Sequence, residues 1–342
     1  MAATPTSKLT AKPTPGKPIP GNPARAALAA MPALFTARLG TPWGVAYSGG
    51  ADSTALLLAV AEHWPGQVQA IHIHHGLQAA ADEFVRVCTL VCTAHDIPLH
   101  VVQVGAAPAP GESPEDAARK ARYAALGALA VRAGLQGVLL GQHADDQVET
   151  LLLALSRGAG LPGLSGMAAR FQRSGTTFYR PLLQTPAAGL RGWLTQCNIP
   201  FVDDPTNTDE RYTRNRIRAR LLPALSDAFP QFRETFARST RHAAQAHSLL
   251  VEVARDDLAR VGAEPVIKAL QTLSEARQAN LLRHWLLQTH RVTASTAQLA
   301  QLLVQIAACT TRGHQIHLKI ASGHVTRLGA VLRYTPVADQ SG

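Results

Sequence analysis

Apolar positions fall into two periods along this chain, and the switch between them marks out its elements. Short runs at Trp43–Tyr47, Val68–His72, Leu99–Val104 and Gly137–Gly141 are apolar or alternate apolar with polar, which predicts strands. Between them lie segments of helical period: Asp52–His63, Ala80–Asp96 and a helix opened by Ser113-Pro114-Glu115-Asp116. In the second, Phe84, Val87, Cys88, Val91 and Cys92 share one face. The third has serine as cap, proline at the first helical position and acids in the first turn, and carries Glu115, Arg119, Arg122 and Tyr123. Gly105–Gly111 reads as a Pro/Ala loop. Strand and helix in strict alternation predict an α/β fold, a Rossmann-like parallel sheet with helices on both faces.

The next segment, HADDQVETLLLALSRGAGLPGLSG at His143–Gly166, predicts a helix that ends among glycines in a mobile loop suited to a lid. Thr185–Cys197 is a short helix, Asp203–Asn207 a turn, and Arg211–Leu225 a helix. Beyond about Thr240 the pattern changes. Gln245–Val261, Val266–His290 and Ala294–Cys309 read as helices, with Leu270, Leu273, Leu281, Trp285 and Leu286 as apolar anchors. His314–Ile320, Val325–Leu328 and Val331–Tyr334 read as short strands. The expected organisation is a disordered, mildly basic tail over 1–23, a catalytic domain over 24–225, a helical linker over 226–244 and a small α+β C-terminal domain over 245–342.

Composition narrows the classes. With 342 residues and 46% hydrophobic content the chain can bury about two domains' worth of core. No apolar run approaches the roughly 18 residues that span a bilayer, and Met1–Pro23 has no apolar signal region. The four cysteines (Cys88, Cys92, Cys197, Cys309) form no C-x-x-C pair. Cys88 and Cys92 suit a buried helix face better than half a metal site. Nothing suggests disulfides, so a reducing cytoplasm and no membrane are expected. The net charge of +10 argues for a polyanionic partner, and it is concentrated. Between Arg211 and Arg241 lie eight arginines (211, 214, 216, 218, 220, 233, 238 and 241) against Asp227 and Glu234.

Candidate chemistry begins at Val45–Ala59, VAYSGGADSTALLLA. A strand runs into Ser48-Gly49-Gly50-Ala51-Asp52-Ser53 and then into a helix. Glycines permit positive φ and close backbone approach, and an uncapped helix start offers N–H donors and a positive dipole end to phosphate. It lacks the lysine of a Walker A loop. His72, His74 and His75 end the second strand; with no carboxylate or cysteine at ligand spacing, nucleotide contacts at His74 and His75 fit better than zinc. Asp145, Asp146 and Glu149 stand just past the fourth strand. Asp146 and Glu149 are three residues apart on one helix face, placed to hold Mg2+ on a nucleotide or to grip an ammonium group. In the arginine-rich helix, Arg214 and Arg218 form one stripe and Arg216 and Arg220 another, roughly 200° away.

The six residues Ser48–Ser53 resemble the PP-loop of the N-type ATP pyrophosphatases, which cleave ATP to AMP and pyrophosphate and adenylate an oxygen of their substrate. Further pieces follow in order: HIHHGL at His72–Leu77, ESPEDAARKARY at Glu112–Tyr123, HADDQVETLLLALSRGAGLPGLSGM at His143–Met167, YRPLL at Tyr179–Leu183 and DDPTNTDERYTRNRIR at Asp203–Arg218. Together they resemble the tRNA(Ile)-lysidine synthase family over Trp43 to about Leu225; beyond Thr240 only size and pattern match that family's substrate-binding domain. The resemblance implies a ligase that joins L-lysine to C2 of the wobble cytidine of a CAU anticodon, through an adenylated cytidine, with ATP and Mg2+. It implies ATP contacts at Ser48, Gly49, Gly50, Ala51, Asp52, Ser53, His74 and His75, and metal ligation by Asp52 and Asp145. Catalysis is assigned to Asp52, Asp146 and Glu149, either of the last two serving as base. Lysine binding falls to Asp146, Glu149, Arg214 and Arg218, and tRNA(Ile) binding to Arg211, Arg216, Arg220, Arg233, Arg238 and Arg241. A homodimer is compatible with the sequence. The alternatives are another PP-loop tRNA-modifying enzyme or a small-molecule adenylating ligase; a thiolation enzyme would want the missing C-x-x-C pair. An inactive RNA-binding module is the rival from another class, and the complete loop and DDQVE argue against it.

Overall fold

A computed structural model describes residues 21–31, 34, 40–74, 80–105, 113–311 and 313–337. Almost all of the expected N-terminal tail, and His75, lie outside them. The chain divides into two compact units, Met1–Arg241 and His242–Gly342. The family of helices in the described residues contains none long and apolar enough to cross a membrane.

The first unit opens with α1 (Pro23–Ala29), which the periodicity did not predict, although Asn22 followed by proline is a helix-start signal. The Asn22 side chain accepts from the Ala24 amide and donates to the Ala55 carbonyl, tying α1 to the core. Then come β1 (Trp43–Ala46), α2 (Ala51–His63), β2 (Val68–His74), α3 (Ala80–Ala94), β3 (Leu99–Gln103), α4 (Pro114–Arg132), β4 (Val138–Leu139) and α5 (Ala144–Ser156). The expected parallel order holds: β1 pairs with β2 and β4, and β2 with β3, all parallel. Apolar side chains of α1, α2, α3 and α7 (Ala187–Gln196) pack in one cluster with β1, whereas Tyr123, Leu126, Leu129 and Ala130 of α4 pack in another with Ile71, Val138 and Phe178. Cys88 and Cys92 are buried and free, as a helix face predicts.

Two features depart from the sequence reading. The glycine-rich segment after α5 contains a short helix, α6 (Leu161–Leu164), and is anchored at its end. The Gln147 side chain accepts from the Met167 amide and donates to its carbonyl. Next, an unexpected hairpin, β5 (Arg170–Arg173) and β6 (Thr176–Tyr179), widens the sheet to six strands in the order β3-β2-β1-β4-β6-β5. β6 joins β4 in parallel, and β5 is the antiparallel edge. Ser174 (φ 49°) and Gly175 (φ 73°) both take positive φ, the two-residue turn that matches strand twist.

The arginine-rich segment is helical over 213–228 but not uniformly α. It runs α8 (Thr213–Arg216), a π turn at Ile217–Leu221, then α9 (Leu222–Ala228). The long helix α10 (Phe232–Val261) begins well before the expected Gln245. The segment expected as one helix from Val266 to His290 is two, α11 (Ile267–Leu270) and α12 (Glu275–His290), because Ser274 caps the second by accepting from the Arg277 amide. In the second unit α12, α13 (Thr296–Ala308) and the antiparallel strands β7 (His317–Ile320), β8 (Gly323–Leu328) and β9 (Val331–Pro336) enclose a core around Leu281, Trp285, Leu302, Ile306, Ile320 and Val325.

Candidate active site

The strand order reverses beside β1: β2 and β3 lie to one side, β4 to the other. Open α/β sheets bind ligands at the carboxyl ends of such strands. A cavity of about 970 Å3 lies there, lined by Ser48, Gly50, Asp52 and Ser53, by His74, and by His143, Asp146 and Glu149. Arg122, Arg214 and Arg218 complete the wall.

The Ser48–Ser53 turn is held by its own hydroxyls. Ser53 Oγ accepts from the Ser48 amide at 3.2 Å and donates to the Gly50 carbonyl at 3.0 Å, and it lies 3.0 Å from Ser48 Oγ. Gly49 has φ 86°, and its carbonyl accepts from the Val202 amide at 2.8 Å. A Cβ there would lie 3.1 Å from Cys88 Sγ, so the turn is pressed against α3. No side chain caps α2, whose N-cap is Gly50, and its first N–H groups are left for a ligand at the positive end of the helix.

Helix α5 starts on a less common cap. His143 Nδ1 accepts from the Asp146 amide at 3.3 Å, while Asp146 Oδ2 accepts from the His143 amide at 3.1 Å. The other ring nitrogen, Nε2, lies 3.5 Å from Asp52 Oδ2 and 3.4 Å from Asp146 Oδ2. Burial lowers the His143 pKa, but the hydrogen bond to Asp52 and the charges of Asp146, Asp52 and Asp145 outweigh it and raise it, which fixes a proton on Nε2. Nε2–H therefore joins the loop on α2 to the acids of α5, while Nδ1 stays unprotonated to accept from the Asp146 amide. The sequence reading passed over this residue; histidine before an acidic first turn was the available signal.

Across the cavity, Glu149 is fully buried and clamped by Arg218, whose Nε and Nη2 donate to its two oxygens at 2.5 and 3.1 Å. Arg218 Nη2 also donates to Asp146 Oδ1 at 3.0 Å. Burial pushes the Glu149 pKa up, and Arg218 opposes it. Asp145, by contrast, faces its neighbours. Its Oδ1 accepts from Arg233 Nε at 2.6 Å and its Oδ2 from the Ala187 amide at 3.1 Å, which braces α5 against α7 and α10.

The other arginines sort by partner. Arg211 is paired with Asp209, Arg220 with Glu210 and Arg233 with Asp145, and Arg216 donates to the Glu210 and Arg211 carbonyls and to Thr213. The two-stripe expectation thus becomes concrete: Arg214 and Arg218 line the cavity, while Arg216 and Arg220 bond outside it. Arg122, on α4, was noted in the sequence without a role. Burial, together with like charge from Arg119, Arg180 and Arg214, pulls its pKa down. His72 is buried with Nδ1 2.9 Å from the Tyr47 carbonyl oxygen, beneath the site, and His74 lines the cavity. Among the described residues no group of three or more His, Cys, Asp or Glu side chains could hold a metal.

Comparison with known proteins adds to this geometry. A PP-loop domain family matches residues 27–225, and a TilS substrate binding domain family matches residues 266–334. The tRNA(Ile)-lysidine synthase of Polaromonas naphthalenivorans (strain CJ2) is 70% identical over 317 residues, 93% of this chain and 96% of that protein. That of Burkholderia pseudomallei (strain K96243) is 42% identical over 275 residues, 78% of this chain but 56% of that longer protein. Among solved structures, the U34-tRNA thiolase NcsA from Methanococcus maripaludis, with its [4Fe-4S] cluster, shares the fold at a TM-score of 0.55 and 12% identity, over 64% of this chain and 76% of that one.

Proposed function

The chain belongs to the tRNA(Ile)-lysidine synthase family, and from that premise we propose how its residues divide the ATP-dependent ligation of L-lysine to the wobble cytidine of a CAU anticodon. The observation that carries the division is one cavity with a phosphate-binding turn on one wall and an acid–arginine cluster on the other.

In the first step the C2 carbonyl oxygen of the cytidine attacks the α-phosphate of ATP, and pyrophosphate leaves. The turn Ser48–Ser53 and the uncapped start of α2 donate to the departing phosphates. His143 Nε2, beside Asp52, orients that carboxylate toward the cavity. Mg2+ fits here as an ion carried in with the nucleotide, because such an ion needs only one or two protein carboxylates. Asp52, about a third exposed in the cavity, offers one. Asp145 lines the same cavity, and a metal there would share its oxygens with Arg233 and the Ala187 amide. When bound, the ion neutralises charge on the leaving pyrophosphate.

In the second step the ε-amine of lysine attacks C2 and expels AMP. The lysine head group is a zwitterion, and the Glu149–Arg218–Asp146 cluster presents both complementary charges within one hydrogen-bonded unit. Arg214 and Arg122, which line the same cavity, supply further positive charge for the lysine carboxylate or the departing AMP. Either Asp146 or Glu149 can serve as the base: Asp146 accepts from Arg218 and from the His143 amide, and Glu149 accepts from Arg218 through both oxygens.

Incubation with Mg-ATP, labelled lysine and a tRNA(Ile) transcript bearing CAU tests the proposal. Incorporation should require ATP, vanish with a UAU anticodon and fall by at least about a hundredfold in Asp52→Ala. Incorporation that ignores the anticodon overturns the substrate; incorporation unaffected by Asp52→Ala overturns the role of that carboxylate.

A further inference from the structure

The hairpin that the periodicity did not predict carries a second cluster of arginines, away from the Arg211–Arg241 stretch. Arg170 and Arg173 lie on β5, the edge strand, and Arg180 follows β6. Each guanidinium is laid over a ring. The Arg173 carbon Cζ is 4.9 Å from the centre of Tyr123, that of Arg180 is 4.2 Å from Phe171, and that of Arg170 is 5.9 Å from Tyr179. The Arg122 carbon Cζ is likewise 5.7 Å from the centre of Tyr123. The rings are themselves packed, Phe171 stacked on Phe178 at 5.2 Å and Tyr123 edge-on to both.

A guanidinium stacked on an aromatic face is held in place without a carboxylate, and its N–H edges stay available. In the Arg211–Arg241 stretch, four of the arginines (211, 218, 220 and 233) already have carboxylate partners. In the hairpin cluster the recorded partners are rings, carbonyls and neutral side chains: Arg180 donates to the Ala168 carbonyl, to Gln142 Oε1 and to the Tyr123 hydroxyl. The cluster is continuous with the active site, because Arg122, Tyr123 and Gln142 line the cavity. Polynucleotide backbones are bound by unpaired, preorganised arginines in a row leading to the reactive base.

We propose that the β5–β6 hairpin and the adjoining face of α4 form a track for the phosphodiester backbone of the tRNA anticodon arm as it enters the cavity. This rests on the tRNA-modifying reading above. Arg173, beside the hairpin turn, is the far end of the track, and Arg170, paired with Tyr179, lies nearer its cavity end; neither lines the cavity. They raise affinity for tRNA without touching ATP or lysine.

The test is steady-state ligation with the full chain, tRNA(Ile) bearing CAU, and the double variants R170E/R173E, R170Q/R173Q and R170K/R173K. Wild type must first ligate lysine; if it does not, the functional reading fails and not the track. Given that, R170E/R173E should raise KM for tRNA at least about tenfold and leave kcat and the lysine KM within about twofold. R170Q/R173Q should reduce the slope of log affinity against log salt by roughly 1.4–1.8, as for two lost contacts. R170K/R173K should restore most of the affinity, since lysine keeps the charge; this also separates contact from misfolding. Wild-type tRNA affinity and salt slope in the glutamate and glutamine variants overturn the proposal and leave the arginines as guards of an exposed sheet edge. Loss of binding to phosphatidylserine vesicles, with tRNA affinity intact, overturns it in favour of a membrane surface.

Discussion

Glu149→Gln is expected to lower kcat/KM for lysine by about two to three orders of magnitude while pyrophosphate release from ATP, in the presence of tRNA, stays within about threefold. The size follows from the cluster. Glu149 is fully buried, and both its oxygens are bonded to Arg218. Replacing the carboxylate by an amide leaves a half-buried guanidinium opposite a neutral group, a change that costs about 3–5 kcal/mol for a buried pair. At about 1.4 kcal/mol per tenfold, that spans the stated range. The selectivity follows from the order of the chemistry, because the lysine amine attacks only after the cytidine is adenylated. Pulse-labelled tRNA with and without lysine separates the half-reactions. Equal loss in both would make Glu149 a structural anchor of α5 and not a lysine contact. Thermal unfolding of the variant, run alongside, fixes a temperature at which both proteins are folded.

Gly49→Ala should do the reverse and remove the first step. Gly49 has φ 86°, where an L side chain costs about 1–2 kcal/mol, and the added Cβ would lie 3.1 Å from Cys88 Sγ on α3. The strain is relieved by shifting the turn, and the turn is what aims the donors. A displacement of about an ångström in a positioned site costs on the order of a hundredfold in rate. Pyrophosphate release should therefore fall by about a hundredfold or more, with lysine affinity, measured by isothermal titration, little changed. Cys88→Ala in the same chain gives the new methyl room and should recover part of the loss. A Gly49→Ala enzyme with full pyrophosphate release would remove the turn from the phosphate site.

The sequence exposed the parts of this site that are contiguous in the chain. Ser48–Ser53 shows its geometry in its own composition, because Gly49 supplies the positive φ of the turn and an apolar strand and helix flank it. Asp146 and Glu149 were paired by helical spacing alone. What spacing hides is commitment. Asp145 and Asp146 both look available, yet the oxygens of Asp145 are taken by Arg233 and the Ala187 amide, residues 88 and 42 positions away, and those of Asp146 by Arg218 and the His143 amide. Arg233, expected on the tRNA surface, is the partner of Asp145. The local pairs were more accessible: Asp209 and Glu210 stand beside Arg211, and two of the basic residues are neutralised within that turn. The hairpin escaped because Phe171 and Phe178 alternate with arginine and threonine over only four residues per strand, although Ser174-Gly175 between them is a turn signature.

The π turn at Ile217–Leu221 amounts to one extra residue stored within an otherwise α-helical rod. Everything before it is rotated by about 100° relative to everything after it, compared with an uninterrupted helix. The arginines at 214 and 218 and the apolar Leu222 and Leu225 are thus set to their separate neighbours by a phase adjustment that no substitution can imitate. Shortening the helix by that single residue keeps its composition, charge and helicity nearly intact, yet turns the guanidiniums away from Asp146 and Glu149. Insertions and deletions, more than point changes, are the variation this segment is least able to absorb.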